Sequence, residues 1–259
     1  MRVPVVQHRS RRRRALGRRA LWTGGEFLVT AGVVLLLLVV HELWWTNREA
    51  RQGAEHQVQA LERQWATPGA GGSDTPSANS GLAGGSSPRR GTSADGSTAV
   101  TGSTATAPRR SQAYAILTIP RLHLRVPIAE GVSKQNVLNK GYVGHYPGTQ
   151  QPGQAGNFAL AGHRNTHGEP FRYLPRLRLK DTVQVETSAA TYTYTVDKIL
   201  PQTSASDSGV IRPIPRSIVR PAYGYSRPGY YITLTTCTPE FTSRYRMAVW
   251  GTLTSTHLR

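Results

Sequence analysis

An uncharged apolar run near the N-terminus limits how this chain can fold more than any other feature. The run FLVTAGVVLLLLVV covers residues 27–40 and continues through His41 and Glu42 to the pair Trp44 and Trp45. As a helix, residues 27–45 would span roughly the ~30 Å hydrocarbon core of a bilayer. A buried core helix is disfavoured because nothing nearby in the sequence could cover it. We therefore expect a transmembrane helix over residues 27–45.

The charges around this run predict its orientation. Residues 1–26 contain eight arginines and a single acidic residue, Glu26. Basic residues before a span and tryptophans after it indicate a cytoplasmic N-terminus. We predict a basic cytoplasmic arm over 1–26, a signal anchor, and an extracellular remainder. A cleaved signal peptide is the alternative, but no A-x-A-like site follows the run and HELWWTN is a poor cleavage context.

Two segments of different composition follow the anchor. Residues 46–66 are rich in Arg, Glu, Gln and Ala, with weak apolar spacing at Val58, Leu61 and Trp65, which predicts a juxtamembrane helix. Residues 67–112 consist mainly of Gly, Ser, Thr, Ala and Pro. So little apolar surface cannot offset the entropy of ordering, and we expect a flexible linker there.

From residue 113 the chain consists of short alternating runs separated by turn signals. The runs are AYAILTIP, LHLRVPIAE, NFALAGH, DTVQVET, TYTYTVDKIL, YYITLTTC and YRMAVWGTLT. This pattern predicts an all-β domain over 113–259, a barrel or sandwich of about eight strands. Short helices complete it, one of them in SKQNVLNK with Ser133 as N-cap.

The only cysteine of the chain, Cys237, ends one of the predicted strands. Outside the cytoplasm thiols tend to be paired, and this one has no intrachain partner. An intermolecular disulfide, an inert buried residue and a functional thiol all remain open. A functional thiol needs a proton acceptor, usually histidine. His145, His163 and His167 are the candidates, and His163 is favoured because it ends a strand beside a loop.

Two arginines follow the cysteine at the start of the last predicted strand. Arg244 and Arg246 alternate with the strand and so share a face. A guanidinium beside the thiol on an adjacent antiparallel strand could stabilise a developing oxyanion. Either arginine fits this pattern.

These motifs together resemble the sortases, the cysteine transpeptidases of Gram-positive cell surfaces. The resemblance is carried by TLTTC, an arginine nine positions after the cysteine, and ALAGHR upstream. The stretches ILTIPRLHLRVPIAEGV and GHYPGTQQPGQAGNFALAGHR are similar to the first strands of the actinobacterial class E group. Over about residues 113–254, the resemblance implies a sortase-like closed β-barrel.

The resemblance also implies roles for individual residues. Cys237 falls on the nucleophile, His163 on the general acid, and Arg246 on the arginine that stabilises the oxyanion and substrate. Thr236 falls beside the nucleophile, at a position that shapes the substrate pocket in relatives. Tyr146 falls where class E enzymes carry a tyrosine linked to a preference for LAxTG over LPxTG signals.

The implied reaction cleaves the Thr–Gly bond of a sorting signal and joins the protein to a peptidoglycan precursor amine. The implied partners are exported proteins that bear sorting signals, the precursor amine and the membrane, with no nucleic acid. No cofactor is implied, and no compact carboxylate cluster predicts a metal site. A pilin-polymerising sortase is one alternative, although the linker lacks an Asp-Pro-Trp or Asp-Pro-Phe lid motif. A non-catalytic β-domain that binds anionic wall polymers is the other, because residues 113–259 hold 17 basic and 7 acidic residues.

Overall fold

The computed structural model describes residues 9–66 and 108–259, which form one long helix and a β-barrel. The helix and strands are α1 (Arg9–Ala66), β1 (Ala113–Ile119), β2 (Leu124–Glu130), β3 (Val143–His145), β4 (Gly156–Ala161), β5 (Thr182–Glu186), β6 (Ala190–Ser204), β7 (Tyr230–Thr238) and β8 (Tyr245–Leu258). Short 3-10 turns connect them at Pro120–Leu122, Leu138–Lys140, Leu174–Arg176 and Ser208–Ile211.

The eight strands close into a barrel in the order β1-β2-β3-β4-β7-β8-β6-β5. The pairs β2/β3 and β4/β7 are parallel, and the other pairs are antiparallel. The predicted all-β closed barrel is therefore confirmed. Seven strands match the seven predicted runs. The eighth, β3, has only three residues, too few to show an alternating pattern.

Alternate residues of every strand fill the barrel interior. The interior side chains include Leu117, Ile128, Val143, Leu160, Val185, Val196, Leu234 and Val249, which come from all eight strands in turn. Successive side chains of a strand point to opposite faces, so the residues between these positions face outward. On the outer face, Trp250 and Leu200 pack beneath the Ser208–Ile211 turn in a second, smaller cluster. This alternation decides which residues can meet outside the barrel.

The first part of α1 carries apolar side chains that nothing in the described structure covers. Phe27 is 78% exposed and Leu36 is 63% exposed, and the other large apolar side chains between them are also exposed. The stretch Gly24–Ala66 is long and apolar enough to cross a membrane, by length and composition alone. Such a helix is consistent with a membrane anchor.

The second part of α1 packs against the barrel. Val58 and Leu61 are buried against Ile116 of β1, with Trp65 at the edge of the cluster. Glu62 forms a salt bridge of 2.7 Å with Arg125 of β2. The predicted arm from residue 9, the predicted span and the predicted juxtamembrane helix all lie within this one continuous helix. Residues 1–8 of the arm and 67–107 of the predicted linker lie outside the described residues.

The segment SKQNVLNK forms turns in place of the predicted helix. The Asn136 amide donates to the Ser133 hydroxyl oxygen over 3.3 Å, so Ser133 does cap the segment. Helical geometry is confined to the 3-10 turn Leu138–Lys140. Gly131 and Gly141 both have positive φ on either side, and so short a stretch gains little from helix propagation.

Candidate active site

Cys237 and Arg246 are directly paired residues of the neighbouring antiparallel strands β7 and β8. Residues paired in this way have Cα atoms about 4.5–5.5 Å apart and side chains on the same face. Both residues alternate with the interior positions of their strands, so both side chains face outward. Cys237 is a free thiol and is half-buried. The thiol therefore lies at the outer surface of the barrel.

The other neighbour of β7 is β4, which ends two residues before His163. The last paired residues of these parallel strands are Ala161 and Thr235. Beyond them, the Gly162 amide donates to the Thr235 carbonyl over 3.1 Å. Counting on in the same register brings His163 level with Cys237, and its parity along β4 is also outward. The ends of three adjacent strands thus present a histidine, a cysteine and an arginine on one face.

Three hydrogen bonds hold the end of β4 to the cysteine strand. The Thr236 hydroxyl donates to the Gly162 carbonyl over 2.9 Å, immediately before His163. The Arg164 guanidinium, immediately after it, donates to the Cys237 carbonyl over 3.1 Å and to the Thr238 hydroxyl over 2.9 Å. The backbone on both sides of His163 is therefore fixed to the backbone of β7.

The imidazole of His163 is partly buried and has two close partners. Its Nε2 lies 2.9 Å from Oδ1 of Asn139, and its ring stacks on that of His167 with centroids 5.4 Å apart. An amide oxygen only accepts, so Nε2 carries the hydrogen and Nδ1 keeps its lone pair. Burial lowers the pKa of His163 to about 4, with smaller contributions from His167 and Lys134. His163 is thus a neutral imidazole at pH 7.

The two candidate arginines differ in their positions. Arg246 lies within β8, opposite Cys237, and donates from Nη1 to the carbonyls of Ser243 (2.8 Å) and Tyr245 (3.0 Å). Arg244 precedes the strand, is exposed, and lies over the Tyr245 ring at 5.2 Å. Only Arg246 is in register with the thiol.

A cavity of about 250 Å³ adjoins the strand ends. Tyr146, Thr235 and Arg246 line it, together with residues 204–208, 210 and 211 of the β6–β7 connection. The Tyr146 hydroxyl lies 3.1 Å from the Thr235 hydroxyl oxygen. Thr235 shares the outward parity of Cys237, so the cavity lies on the face that carries the thiol.

The predicted site residues therefore fall into two groups. His163, Cys237, Arg246 and Tyr146 lie on the outer face, whereas Thr236 has interior parity and is 3% exposed. Thr236 contacts the histidine strand through Gly162, and its neighbour Thr235 lines the cavity instead. Residues two apart along a strand share a face, so the position of Thr235 two residues before Cys237 could have indicated it as the cavity residue.

The structure also adds contacts that the sequence did not indicate. Asn139 and Arg164 touch the site from distant or flanking positions, and no sequence signal marks Asn139. The rejected candidate His145 is 1% exposed, and its Nδ1 lies 2.6 Å from Glu130 Oε2. Over the described ranges 9–66 and 108–259, no group of three or more His, Cys, Asp or Glu residues could hold a metal ion.

Comparison with known proteins relates the chain to one family. The family model for the Sortase domain matches residues 117–254. The chain is 42% identical over 232 residues to Sortase SrtE1 of Streptomyces coelicolor, which covers 88% of this chain and 55% of that protein. It is 33% identical over 239 residues to Sortase SrtE2 of the same organism, which covers 90% of this chain and 81% of that protein. The chain thus spans about half the length of SrtE1.

Solved structures give the same relationship. The crystal structure of Sortase E1 from Streptomyces coelicolor with a tripeptide in its active site superposes with a TM-score of 0.55 and 50% identity, over 59% of this chain and 94% of that chain. Sortase E from Streptomyces avermitilis superposes with a TM-score of 0.51 and 39% identity, over 58% and 93%. With the family model matching more than half of the chain, and class E sortases among its structural relatives, the chain belongs to the sortase family.

Proposed function

We propose that this protein is a membrane-anchored cysteine transpeptidase that cleaves sorting signals of the LAxTG or LPxTG type. The observation that carries the proposal is the pairing of Cys237 with Arg246, beside the end of β4, whose last paired residue lies two positions before His163. A nucleophile, a proton carrier and a cationic hydrogen-bond donor are the groups that acyl transfer through a thioester requires.

The first half of the reaction forms an acyl-enzyme. Cys237 transfers its proton to the neutral imidazole of His163, and the thiolate attacks the threonine carbonyl carbon of the signal. Arg246 donates hydrogen bonds to the resulting oxyanion. The intermediate collapses with cleavage of the Thr–Gly C–N bond, and His163 acts as general acid by giving its proton to the departing glycine amine. A thioester on Cys237 remains.

The second half transfers the acyl group to an amine. A neutral amine of a peptidoglycan precursor attacks the thioester carbonyl, and His163 accepts the proton that the amine loses. Collapse of this intermediate breaks the C–S bond, and Cys237 recovers a proton from His163. The net change is exchange of one amide for another, with no oxidant or cofactor consumed.

The cavity beside the strand ends suits an extended peptide. Its lining includes Tyr146, Thr235 and Arg246, so a chain lying in it would reach the thiol from one side. The structure of Sortase E1 from Streptomyces coelicolor holds a tripeptide in the active site of that protein. We assign signal binding to this cavity, with Tyr146 contributing to the choice between alanine and proline in the second position of the signal. Thr236 would support signal binding through its hydrogen bond to the Gly162 carbonyl and not by direct contact with the peptide.

The anchor suits substrates that are themselves held at a membrane. We propose that residues 27–45 span the cell membrane with the basic arm 1–26 in the cytoplasm and the barrel outside. Exported proteins that bear sorting signals and lipid-linked wall precursors would then meet at the same surface. A linker over 67–112 would let the chain return from the docked helix to the first strand of the barrel.

Transpeptidation by the purified full chain in detergent tests the proposal. The protein is incubated with LAxTG and LPxTG peptides, with and without a short glycine-based amine, and products are followed by mass spectrometry. We expect a Thr–amine product that requires Cys237. Product formed only with a lysine side chain of a protein subunit would identify a pilin polymerase, and no product with any amine would favour a wall-polymer-binding domain.

A further inference from the structure

The docked half of α1 reaches the loop that follows His163. The Asn47 side-chain amide donates to Glu169 Oε1 over 3.0 Å, and the Gly168 amide donates back to Asn47 Oδ1 over 3.2 Å. One turn further along the helix, Arg51 donates to the Gly168 carbonyl (3.2 Å) and to Glu169 Oε2 (3.1 Å). Glu169 has a side chain only 4% exposed, and Arg172 also donates to it over 2.7 Å. Two helix residues therefore satisfy a buried carboxylate in this loop.

The same part of α1 also contacts the turn that carries Asn139. Asn139 and Lys140 face Thr46, Glu49, Ala50 and Gly53 of the helix across a shallow cleft. The next residue, Gly141, has φ of +78°, and a Cβ there would lie 2.7 Å from the Ala50 carbonyl oxygen. Only glycine allows the helix and the turn to approach this closely.

The two elements that α1 contacts are the two that hold the imidazole of His163. Asn139 bonds its Nε2, and His167, next to Gly168, stacks on its ring. We call Asn139, His167, Gly168 and Glu169 the His163 seat. The helix touches both sides of this seat.

We propose that residues 47–51 of α1 are a positioning element for His163, which hold both sides of the His163 seat and so fix the tautomer and orientation of the imidazole. The inference rests on the proposed function only in giving His163 a proton to carry. Asn47 follows Trp45 by two residues, so the anchor and the histidine would form one rigid unit. The orientation of the proton carrier would then depend on a helix outside the barrel.

The imidazole of His163 reports directly on this arrangement. Its pKa lies near 4 because it is buried and because His167 and Lys134 oppose its charge. The carboxylate of Glu169 is bonded by Arg51 and Arg172, and it is not among the groups that set the pKa of His163. If the His163 seat loosens, water enters, desolvation falls, and the pKa rises towards its ordinary value of about 6.5.

The test is a titration of ¹⁵N-histidine-labelled full chain in detergent micelles, with the His163 signals assigned from His163→Gln. The test variant is the double substitution Asn47→Ala with Arg51→Ala. The matched control is Glu62→Ala, which removes the 2.7 Å salt bridge to Arg125 at the other end of the same docked segment, while Arg125 keeps Glu186 at 3.1 Å. Asn139→Ala perturbs the seat directly.

We expect wild type and Glu62→Ala to show the Nε2–H tautomer and a pKa near 4. The double variant and Asn139→Ala should show a mixture of tautomers and a pKa raised by roughly one unit or more. If the double variant does not fold, Asn47→Ala alone removes two of the hydrogen bonds and carries the same expectation. Peptide transfer, measured on the same wild-type sample, tests the proposed function separately.

Two results would overturn the inference. One is an unchanged His163 titration in the helix variant while Asn139→Ala shifts it, because the helix would then not act on the seat. The other is an equal shift in Glu62→Ala, which would make the effect one of general docking. Neither result depends on whether the protein transfers peptides.

Discussion

Arg246 lies directly opposite Cys237 across the β7–β8 pair, whereas Arg244 precedes β8 and is exposed. The register of one strand pair therefore separates two arginines that strand alternation alone leaves equivalent. In the proposed sortase reaction only Arg246 would donate to the oxyanion, so substitution of each arginine tests the chemistry as well as the geometry.

We expect Arg246→Ala to lower kcat on the order of a hundredfold or more, the effect of removing one oxyanion donor. Arg244→Ala is the matched control and should stay within a few-fold of wild type because Arg244 precedes β8, is exposed and lies over the Tyr245 ring. Steady-state transpeptidation of an LAxTG peptide measures both. Equal losses of kcat in the two variants, or a loss confined to Arg244→Ala, would show that the assignment of the oxyanion donor to Arg246 is wrong.

The acid limb of the pH–rate profile should lie near pH 4, well below the ordinary histidine value. Burial holds the pKa of His163 at about 4. The thiol–imidazole and thiolate–imidazolium pairs hold the same number of protons, so either form stays available above this pKa. Below this pKa the imidazole of His163 is protonated while Cys237 is still a thiol, so the imidazole cannot accept the thiol proton and activity falls.

The measurement is kcat/KM from pH 3.5 to 8 for wild type, because this ratio reports the free enzyme. His163→Gln should be inactive throughout. A wild-type limb centred near 6.5 would show that the imidazole is solvated in the working enzyme.

Arg164 should matter for stability and for placing the nucleophile. Arg164→Met removes a charged donor from the Cys237 carbonyl and the Thr238 hydroxyl, which costs about 2 kcal/mol and lowers Tm by several degrees. Thr238→Val removes only the second contact and should cost less than half as much. Thermal unfolding followed by circular dichroism compares them, and equal Tm values for the two variants would contradict the bridging role.

Tyr146 is expected to influence which sorting signal is preferred. Tyr146→Phe removes the hydroxyl that lies 3.1 Å from the Thr235 oxygen at the cavity wall. Loss of one such hydrogen bond, about 1 kcal/mol, should change the ratio of kcat/KM values for LAxTG and LPxTG peptides roughly fivefold. Thr235→Val removes the same contact from the other side and should shift the ratio in the same direction. An unchanged ratio in both variants would exclude this contact from selectivity.

The sequence predicts most of the barrel because strand alternation is a local property. Leu160 alternates with alanines and Leu234 alternates with threonines, and each pattern locates its strand without knowledge of the others. The strand β3 is not predicted because three residues are too few to show an alternating pattern. The turns at 133–140 replace a predicted helix because helix propensity cannot act over so short a stretch.

The candidate site is less predictable because it depends on pairing between distant strands. The motif around Cys237 and the position of His163 at a strand end are readable in sequence. In the sequence, the choice of Arg246 over Arg244 depends on the family resemblance, and its geometric reason appears only in the β7–β8 register. The contact from Asn139 comes from a turn 24 residues before His163. The docking of α1 on the His163 loop depends on Asn47 and Glu169, 122 residues apart, and no local pattern reports it.

The proposed reaction requires the sulfur of Cys237 as its nucleophile. The most direct measurement is the intact mass of the full chain after mixing with an LAxTG peptide and no added amine. We predict a transient mass gain equal to the peptide up to its threonine, located on Cys237, removed by a glycine-based amine and absent from Cys237→Ala. A full chain that cleaves or transfers the peptide with no such adduct, or an adduct that persists in Cys237→Ala, would contradict the account.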